Sequence, residues 1–409
     1  MRVLWVATKA PWPPRDGGRL LQLETLRLLA ARGDAGDGEV EVELVAPAPR
    51  REHAAIAAAL APLCRPRLVD ARPLPLPLAA LRAALRREPV TAARHRLGAV
   101  AREVARVAAE NGVDVVHAEQ AQAMPQALAA GRPVLLRAQN VESELWRGAH
   151  PDSGAAATSL ALTKTNAGAR GALRRSEAAR VERWEAAMVR RAALTLALTD
   201  RDAATLSSLA PGARVEALPV PFPAELPTGP PLAGAPAVSL LVGAGWQPNR
   251  EGAEAFVARS WPLVHRALPS ARLHLFGEAS AAGDSITRHA PPADPAVAFA
   301  AGSILVVPLA VASGVRMKVL EAWARGVPAV ATPAAAAGLD ATNGEELLVA
   351  EMGEPLANAL VALARDVALT ERLVRSAREL LRRRHAPGPL RARLLACYAA
   401  AAATASGRV

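Results

Sequence analysis

The apolar positions fall into short blocks with two different spacings. Residues 3–8, apolar through Ala7, predict a buried strand. A Pro/Gly loop through Gly18 then leads into leucines at helical spacing over 20–32. Residues 39–45 alternate as the next strand, so the chain opens as a βαβ unit of a parallel sheet. Helical spacing returns at 54–60, 79–87, 92–110 and, as a long Ala/Arg/Glu-rich stretch, 167–191. Short strands are predicted at 114–117, 133–137 and 194–198, and Thr199-Asp200-Arg201-Asp202 reads as a turn with a helix start behind it.

Prolines at 219, 221, 223, 227, 230, 231 and 236 interrupt this pattern. Such a segment cannot sit inside a sheet and is read as a linker. The alternation then begins again, with strands at 238–242, 272–276, 304–307, 329–331 and 347–349, and helices at 251–267 and 315–325. The prediction is an α/β protein of two Rossmann-like, doubly wound domains facing across a cleft. A first domain spans 1–222, a linker 223–237, a second domain 238–386, and a last helix within 387–409 crosses back to the first domain. Open α/β sheets bind ligands outside the carboxyl ends of their strands, which places the ligand in that cleft.

A length of 409 residues with 51% apolar positions supports two cores and argues against disorder. The net charge of +11 comes almost wholly from arginine, because Lys9, Lys164 and Lys318 are the only lysines. That charge keeps nucleotide diphosphates, nucleic acid and anionic lipid all in view as partners. Cys64 and Cys397 supply neither a disulfide framework nor a metal cluster and read as buried, reduced residues. The opening apolar stretch is too short for a signal sequence and no window reaches the length of a spanning helix, so a cytoplasmic location is expected.

The richest segment is 307–328. An apolar strand runs into Ser313 and Gly314, and a helix starts directly after them. Free amides at that start, with Ser313 as a cap, would form an anion seat; Gly314 would admit a bulky anion, and Arg316 and Lys318 would bring two cations. Glu321 lies one turn further on, where it could accept hydrogen bonds from ribose hydroxyls. The plainer reading is a solvated helix face with an internal ion pair. In the loop after the first strand of this half, Gly243 and Gly245 open a tight turn and Trp246 either walls the cleft or packs beneath it. Asn249 either caps the next helix or touches a ligand. In the first half, Gly17 and Gly18 allow close approach to a phosphate or sugar. His117 and Glu119 follow a strand and are read as facing the cleft, with a structural, hydrogen-bonded histidine as the rival.

These motifs resemble those of GT4-type glycosyltransferases with the GT-B fold, and more narrowly an exopolysaccharide-type branch. Its G-x-R-x-K-x-L-E-A-x-A-x-G-x-P helix is matched by Gly314, Arg316, Lys318, Leu320, Glu321, Ala322, Ala324, Gly326 and Pro328. Residues 243–252 match its glycine and tryptophan loop, and 139–146 are close to its H-N-V-E-S-E pattern, with Gln139 where the histidine stands. The wider family has a glutamate eight positions before Glu321, where this chain has Ser313.

The resemblance implies a hexosyltransferase-like enzyme that moves a sugar from a UDP- or GDP-sugar to an acceptor hydroxyl with retention, in glycan or exopolysaccharide assembly. Arg316 and Lys318 would contact the diphosphate and Glu321 the ribose. Gly17 and Gly18 would lie against acceptor and phosphates, His117 near the transferring sugar, and a loop within 277–300 against the base. The nucleotide sugar is a substrate; no tightly bound cofactor, no metal and no nucleic acid partner are expected. The acceptor would be a glycan, a lipid-linked sugar or a small molecule. Residues 74–87 read either as a solvated helix face, the favoured reading, or as a surface resting on an anionic membrane. Two other functions stay open: a sugar-nucleotide epimerase of similar shape and a non-enzymatic polyanion-binding protein.

Overall fold

The computed structural model describes residues 1–31, 40–148, 167–242, 247–279, 283–292 and 294–404. The first half runs β1 (Arg2–Val6), α1 (Gly17–Ala30), β2 (Glu41–Pro47), α2 (His53–Leu60), β3 (Arg65–Val69), α3 (Leu76–Arg86), α4 (Val90–His95), α5 (Gly98–Glu110) and β4 (Val115–Glu119). It continues through α6 (Met124–Ala127), β5 (Val134–Ala138), α7 (Glu142–Gly148), α8 (Ala167–Arg191), β6 (Leu194–Ala197), α9 (Asp200–Leu209) and β7 (Val215–Ala217). Its strands pair in parallel in the order β3-β2-β1-β4-β5-β6-β7.

The second half runs β8 (Ala237–Leu241), α10 (Gln247–Arg259), α11 (Trp261–Ala267), β9 (Arg272–Phe276), β10 (Ile286–His289), β11 (Ile304–Val307) and α12 (Met317–Ala324). Then follow β12 (Ala329–Ala331), α13 (Pro333–Ala336), β13 (Leu348–Val349), α14 (Glu354–Arg365), α15 (Val367–Arg384) and α16 (Pro387–Ala403). This sheet is also parallel, in the order β10-β9-β8-β11-β12-β13. In each sheet the strand order reverses beside the opening strand, between β1 and β4 and between β8 and β11, which creates a crevice at the carboxyl ends there.

The central strands are buried on both faces, which explains why they were legible as apolar runs. The edge strands β3, β7 and β10 were missed because they carry exposed or mixed residues such as Arg65, Glu216 and Arg288. Two predicted helices are each divided. The 92–110 stretch breaks where Arg96 and Leu97 turn extended before Gly98. The 251–267 stretch breaks at Ser260, because Pro262 belongs to a new first turn, where its missing N–H costs nothing.

The last helix, α16, lies across the first sheet against β4, β5 and β6. Its Leu390, Leu394, Tyr398 and Ala401 share a core with Trp5, Leu26 and Leu44. A further apolar cluster bridges the halves, joining Leu21, Leu198 and Phe222 to Met317, Leu320 and Trp323 of α12. Cys64 and Cys397 are both buried and free.

Candidate functional site

The crevice of the second sheet is built around the start of α12. Arg316 occupies the capping position, and its carbonyl accepts from Val319 and Leu320 N–H. The amides of Met317 and Lys318 belong to the first turn and have no intrahelical acceptor.

Arg316 is only 7% exposed. One guanidinium nitrogen, Nη2, donates to Ser313 O, while Nη1 is buried without a hydrogen-bond partner. Burial pushes its pKa down to about 10, against a weaker pull from Asp202. Lys318 reaches across to the carboxyl end of β8, where Nζ donates to Leu241 O at 2.7 Å and to Asn249 Oδ1 at 3.0 Å. Burial first, and then the neighbouring Arg316, push it down to about 7. Among the described residues neither cation forms a salt bridge. Two like charges removed from water and met only by neutral acceptors are costly unless an anion joins them. The arrangement therefore favours an anionic ligand, and it rules out the solvated helix face.

The first domain forms the opposite wall. Gly17 lies against Met317, whose Cγ would be 3.5 Å from a Cβ placed on the glycine. Gly18 abuts Gln139, with Oε1 2.7 Å from the corresponding position. Gly17 is thus brought to the α12 start, and Gly18 to Gln139, whose carbonyl faces Gly314. Ser313 and Gly314, read from the sequence as open parts of the anion seat, need correction. Ser313 Oγ accepts from Val141 N at 2.8 Å, and Gly314 N donates to Asp202 Oδ2 at 3.1 Å. Asn140, with its amide nitrogen turned to the two carbonyls, donates to Ser313 O at 2.9 Å and Gln139 O at 3.1 Å. Gly314 has φ +70, and a Cβ there would stand 2.1 Å from Gln139 O, so only glycine permits this approach. A carboxylate of the first domain already rests on an amide of the predicted seat.

His117 also needs correction. The predicted strand 114–117 left His117 at its end, whereas β4 continues to Glu119 and His117 pairs with Trp5 and Leu135 inside the sheet. Its ring is fully buried and stacks on Trp5 with centroids 3.8 Å apart. Nδ1 bonds to Tyr398 Oη at 2.7 Å and Nε2 to Glu119 Oε2 at 3.1 Å. Burial pushes its pKa down to about 4, so the ring is neutral near pH 7 and both nitrogens are engaged. Glu119 in turn accepts from Arg137 Nε at 3.0 Å and from Gln139 Nε2 at 2.8 Å, and Arg137 Nη1 donates to Thr25 Oγ1 at 2.6 Å. His117 is therefore the structural, hydrogen-bonded histidine.

Glu321 is buried, but its partner is Arg325 and not Lys318: Oε1 accepts from Nε at 3.2 Å and Nη2 at 3.0 Å. Burial raises its pKa, while Arg325 opposes the rise. None of the described hydrogen bonds engages Oε2, which leaves it available to a ligand.

Beyond Asn249, a cavity of about 700 Å³ opens at the carboxyl ends of β9 and β10, lined by Arg250, Glu254, Gly277, Glu278, His289 and Pro291 among others. Part of the segment expected to face a base thus borders this cavity. Gly243, Gly245 and Trp246 lie outside the described residues.

Sequence reasoning missed Asp202 and the Glu119–Arg137–Gln139 cluster as structural anchors of the site. Arg137 did carry a signal, since a charge in an otherwise apolar buried strand needs a partner. Asp202 carried none beyond a helix-start acid.

Residues 236–366 match the family of glycosyl transferases group 1. Over nearly its whole length the chain is similar in structure to sucrose-phosphate synthase from Thermosynechococcus elongatus, at 16% identity and a TM-score of 0.68, covering 97% of this chain and 98% of that one. It is also similar to HepE of Anabaena in complex with UDP and glucose, at 14% identity and 0.65, covering 98% and 99%. A glycosyltransferase from Rickettsia africae gives 10% identity and 0.61, covering 97% of each chain. No curated protein matches by sequence. The fold is GT-B. Together with the match of the second domain, it supports a glycosyltransferase.

Proposed function

We propose that this protein transfers a hexosyl group from a UDP- or GDP-sugar to an acceptor hydroxyl, with retention at the anomeric carbon, in glycan or exopolysaccharide assembly. The observation that carries the reading is the couple of buried Arg316 and half-buried Lys318 at the amide-bearing start of α12, neither with a salt-bridge partner among the described residues. A diphosphate satisfies both cations and the free amides, as one carboxylate does not. HepE, bound to UDP and glucose, supports a uridine donor by similarity of fold.

The donor diphosphate lies on Arg316, Lys318 and the amides of Met317 and Lys318, in place of the weaker contact from Asp202. Glu321 Oε2 accepts from the ribose, with Arg325 holding the other oxygen, and the base enters the cavity beside Gly277 and His289. Gly17 and Gly18 let the acceptor approach the sugar from the first domain. As the bond to the leaving phosphate breaks, negative charge grows on its oxygen, and the two cations stabilise that charge more than the ground state. The acceptor hydroxyl attacks on the face from which the diphosphate leaves, and its proton passes to the departing phosphate oxygen. His117 takes no part. Asn249 keeps Lys318 aimed, while Ser313 and Gly314 hold the two domains in register. A lipid-linked acceptor, presented at the cytoplasmic face of a membrane, belongs to the same reading.

The test is thermal stabilisation by a panel of nucleotide sugars, followed by mass analysis of products formed with candidate acceptors. UDP- or GDP-sugars should raise the melting temperature and the corresponding free sugars should not. Donor consumption without any acceptor, giving an isomerised nucleotide sugar, would replace transfer with epimerisation. Glu321→Gln, which keeps a hydrogen-bonding group beside Arg325, should weaken donor binding about tenfold by removing one charge-assisted bond; unchanged affinity removes Glu321 from the site.

A further inference from the structure

Helix α3 has an inverted surface. Its inward stripe is alanine, with Ala79 and Ala83 at 0% and 1% exposure, while Leu78, Leu81 and Leu85 stand outward at 54%, 59% and 78%. Positions separated by three and seven residues share one helical face, so the three leucines form a continuous apolar stripe. Among the described residues, Val367 is the other large hydrophobic side chain exposed to this degree.

The segment that carries the stripe holds positive charge alone, with the exposed Asp70 just before it. Between residues 71 and 87 there are four arginines, Arg72, Arg82, Arg86 and Arg87, and no acidic residue. Arg72, Arg86 and Arg87 are exposed. Glu88, the first acid beyond, is turned inward and held by Arg96 Nη2 at 2.5 Å. The platform is anchored to the first domain. Helix α3 packs on α4, whose Val90 N–H is held by Glu177 at 2.5 Å and whose His95 carbonyl is held by Gln126 at 2.7 Å. Because all strands of the sheet are parallel, α3 follows β3 at the same sheet end that carries Gly17 and Gly18.

We propose that α3 docks the first domain onto an anionic lipid surface, with the leucines entering the boundary between headgroups and acyl chains and the arginines on the lipid phosphates. The inference rests on the lipid-linked acceptor reading, since it brings the crevice to the surface where such an acceptor sits. A second copy of the chain suits the stripe less well. Twofold pairing of the leucines would set the flanking arginines of both copies against each other.

The test is cosedimentation of the full-length protein with vesicles of phosphatidylcholine alone or containing phosphatidylglycerol. The wild type binds the anionic vesicles and is released by salt. Leu78→Ser/Leu81→Ser/Leu85→Ser lowers binding at least about tenfold, and Arg72→Gln/Arg86→Gln/Arg87→Gln lowers it about a hundredfold. Both variants keep the wild-type melting temperature and donor-induced stabilisation, because all six side chains are exposed. Absence of vesicle binding overturns the proposal. So does binding that the leucine changes leave intact, or a leucine-dependent dimer that ignores vesicles. Normal vesicle binding by a protein that no nucleotide sugar stabilises removes the transfer reading and leaves the docking surface standing.

Discussion

Two polar clusters lie near the crevices of two sheets that share a strand order over six strands, and they differ in how their charge is balanced. In the first domain Glu119, Arg137, His117, Tyr398, Thr25 and Gln139 satisfy one another, and the carboxylate meets its guanidinium at 3.0 Å. In the second, Arg316 and Lys318 meet carbonyls and an amide, and one guanidinium nitrogen meets nothing. A buried cluster that closes on itself holds the fold; a buried cluster left with excess charge is prepared for something that arrives later.

The largest effect that sharpens this contrast is on stability. Glu119→Ala strands the Arg137 charge in the interior and should cost about 3–5 kcal/mol in chemical denaturation. Donor affinity of the folded fraction should hardly change. A denaturation midpoint equal to the wild type's would mean that the first cluster does not support the fold.

The reciprocal change lies in the second domain. Arg316→Met removes a buried charge that has no salt-bridge partner among the described residues, so stability should hold or rise, while donor affinity falls by on the order of a hundredfold, about 2–3 kcal/mol. Calorimetric titration with the donor and a thermal melt read both. A large loss of stability with undiminished affinity would make the two clusters alike and break the comparison.

The smallest effect is on pH dependence. Lys318 has a folded pKa of about 7 against an ordinary 10.5, so the native state holds fewer protons than the unfolded chain. Ligand-free stability should therefore gain from this group as pH rises from about 7 toward 10.5, and Lys318→Met should lack that contribution. Donor affinity should move the other way, weakening above pH 7, because the amine must take up a proton to meet a diphosphate. Titrations in two buffers of different ionisation enthalpy measure that uptake; none at pH 8 would mean that the lysine does not contact the anion.

The spacing of apolar residues was enough to place the central strands and the α12 segment, because each depends on residues within a few turns of one another. The same locality put Gly314, Arg316, Lys318 and Glu321 around one helix start. It did not show which sheet face would be covered, or by what. His117 looked like a cleft residue until Tyr398, 281 positions later, came down on it from α16. Glu321 could have paired on either side, and the burial of Arg325 against Phe299 settled it. Asp202 was an ordinary helix-start acid until domain contact set it on the Gly314 amide. Residues 74–87 read as a solvated helix face before a membrane-facing one, and the packing through Ala79 and Ala83 showed that the outward face carries leucines. Periodicity fixes which side chains share a face; the environment of that face is set by elements hundreds of residues away, and burial, pairing and pKa follow from that environment.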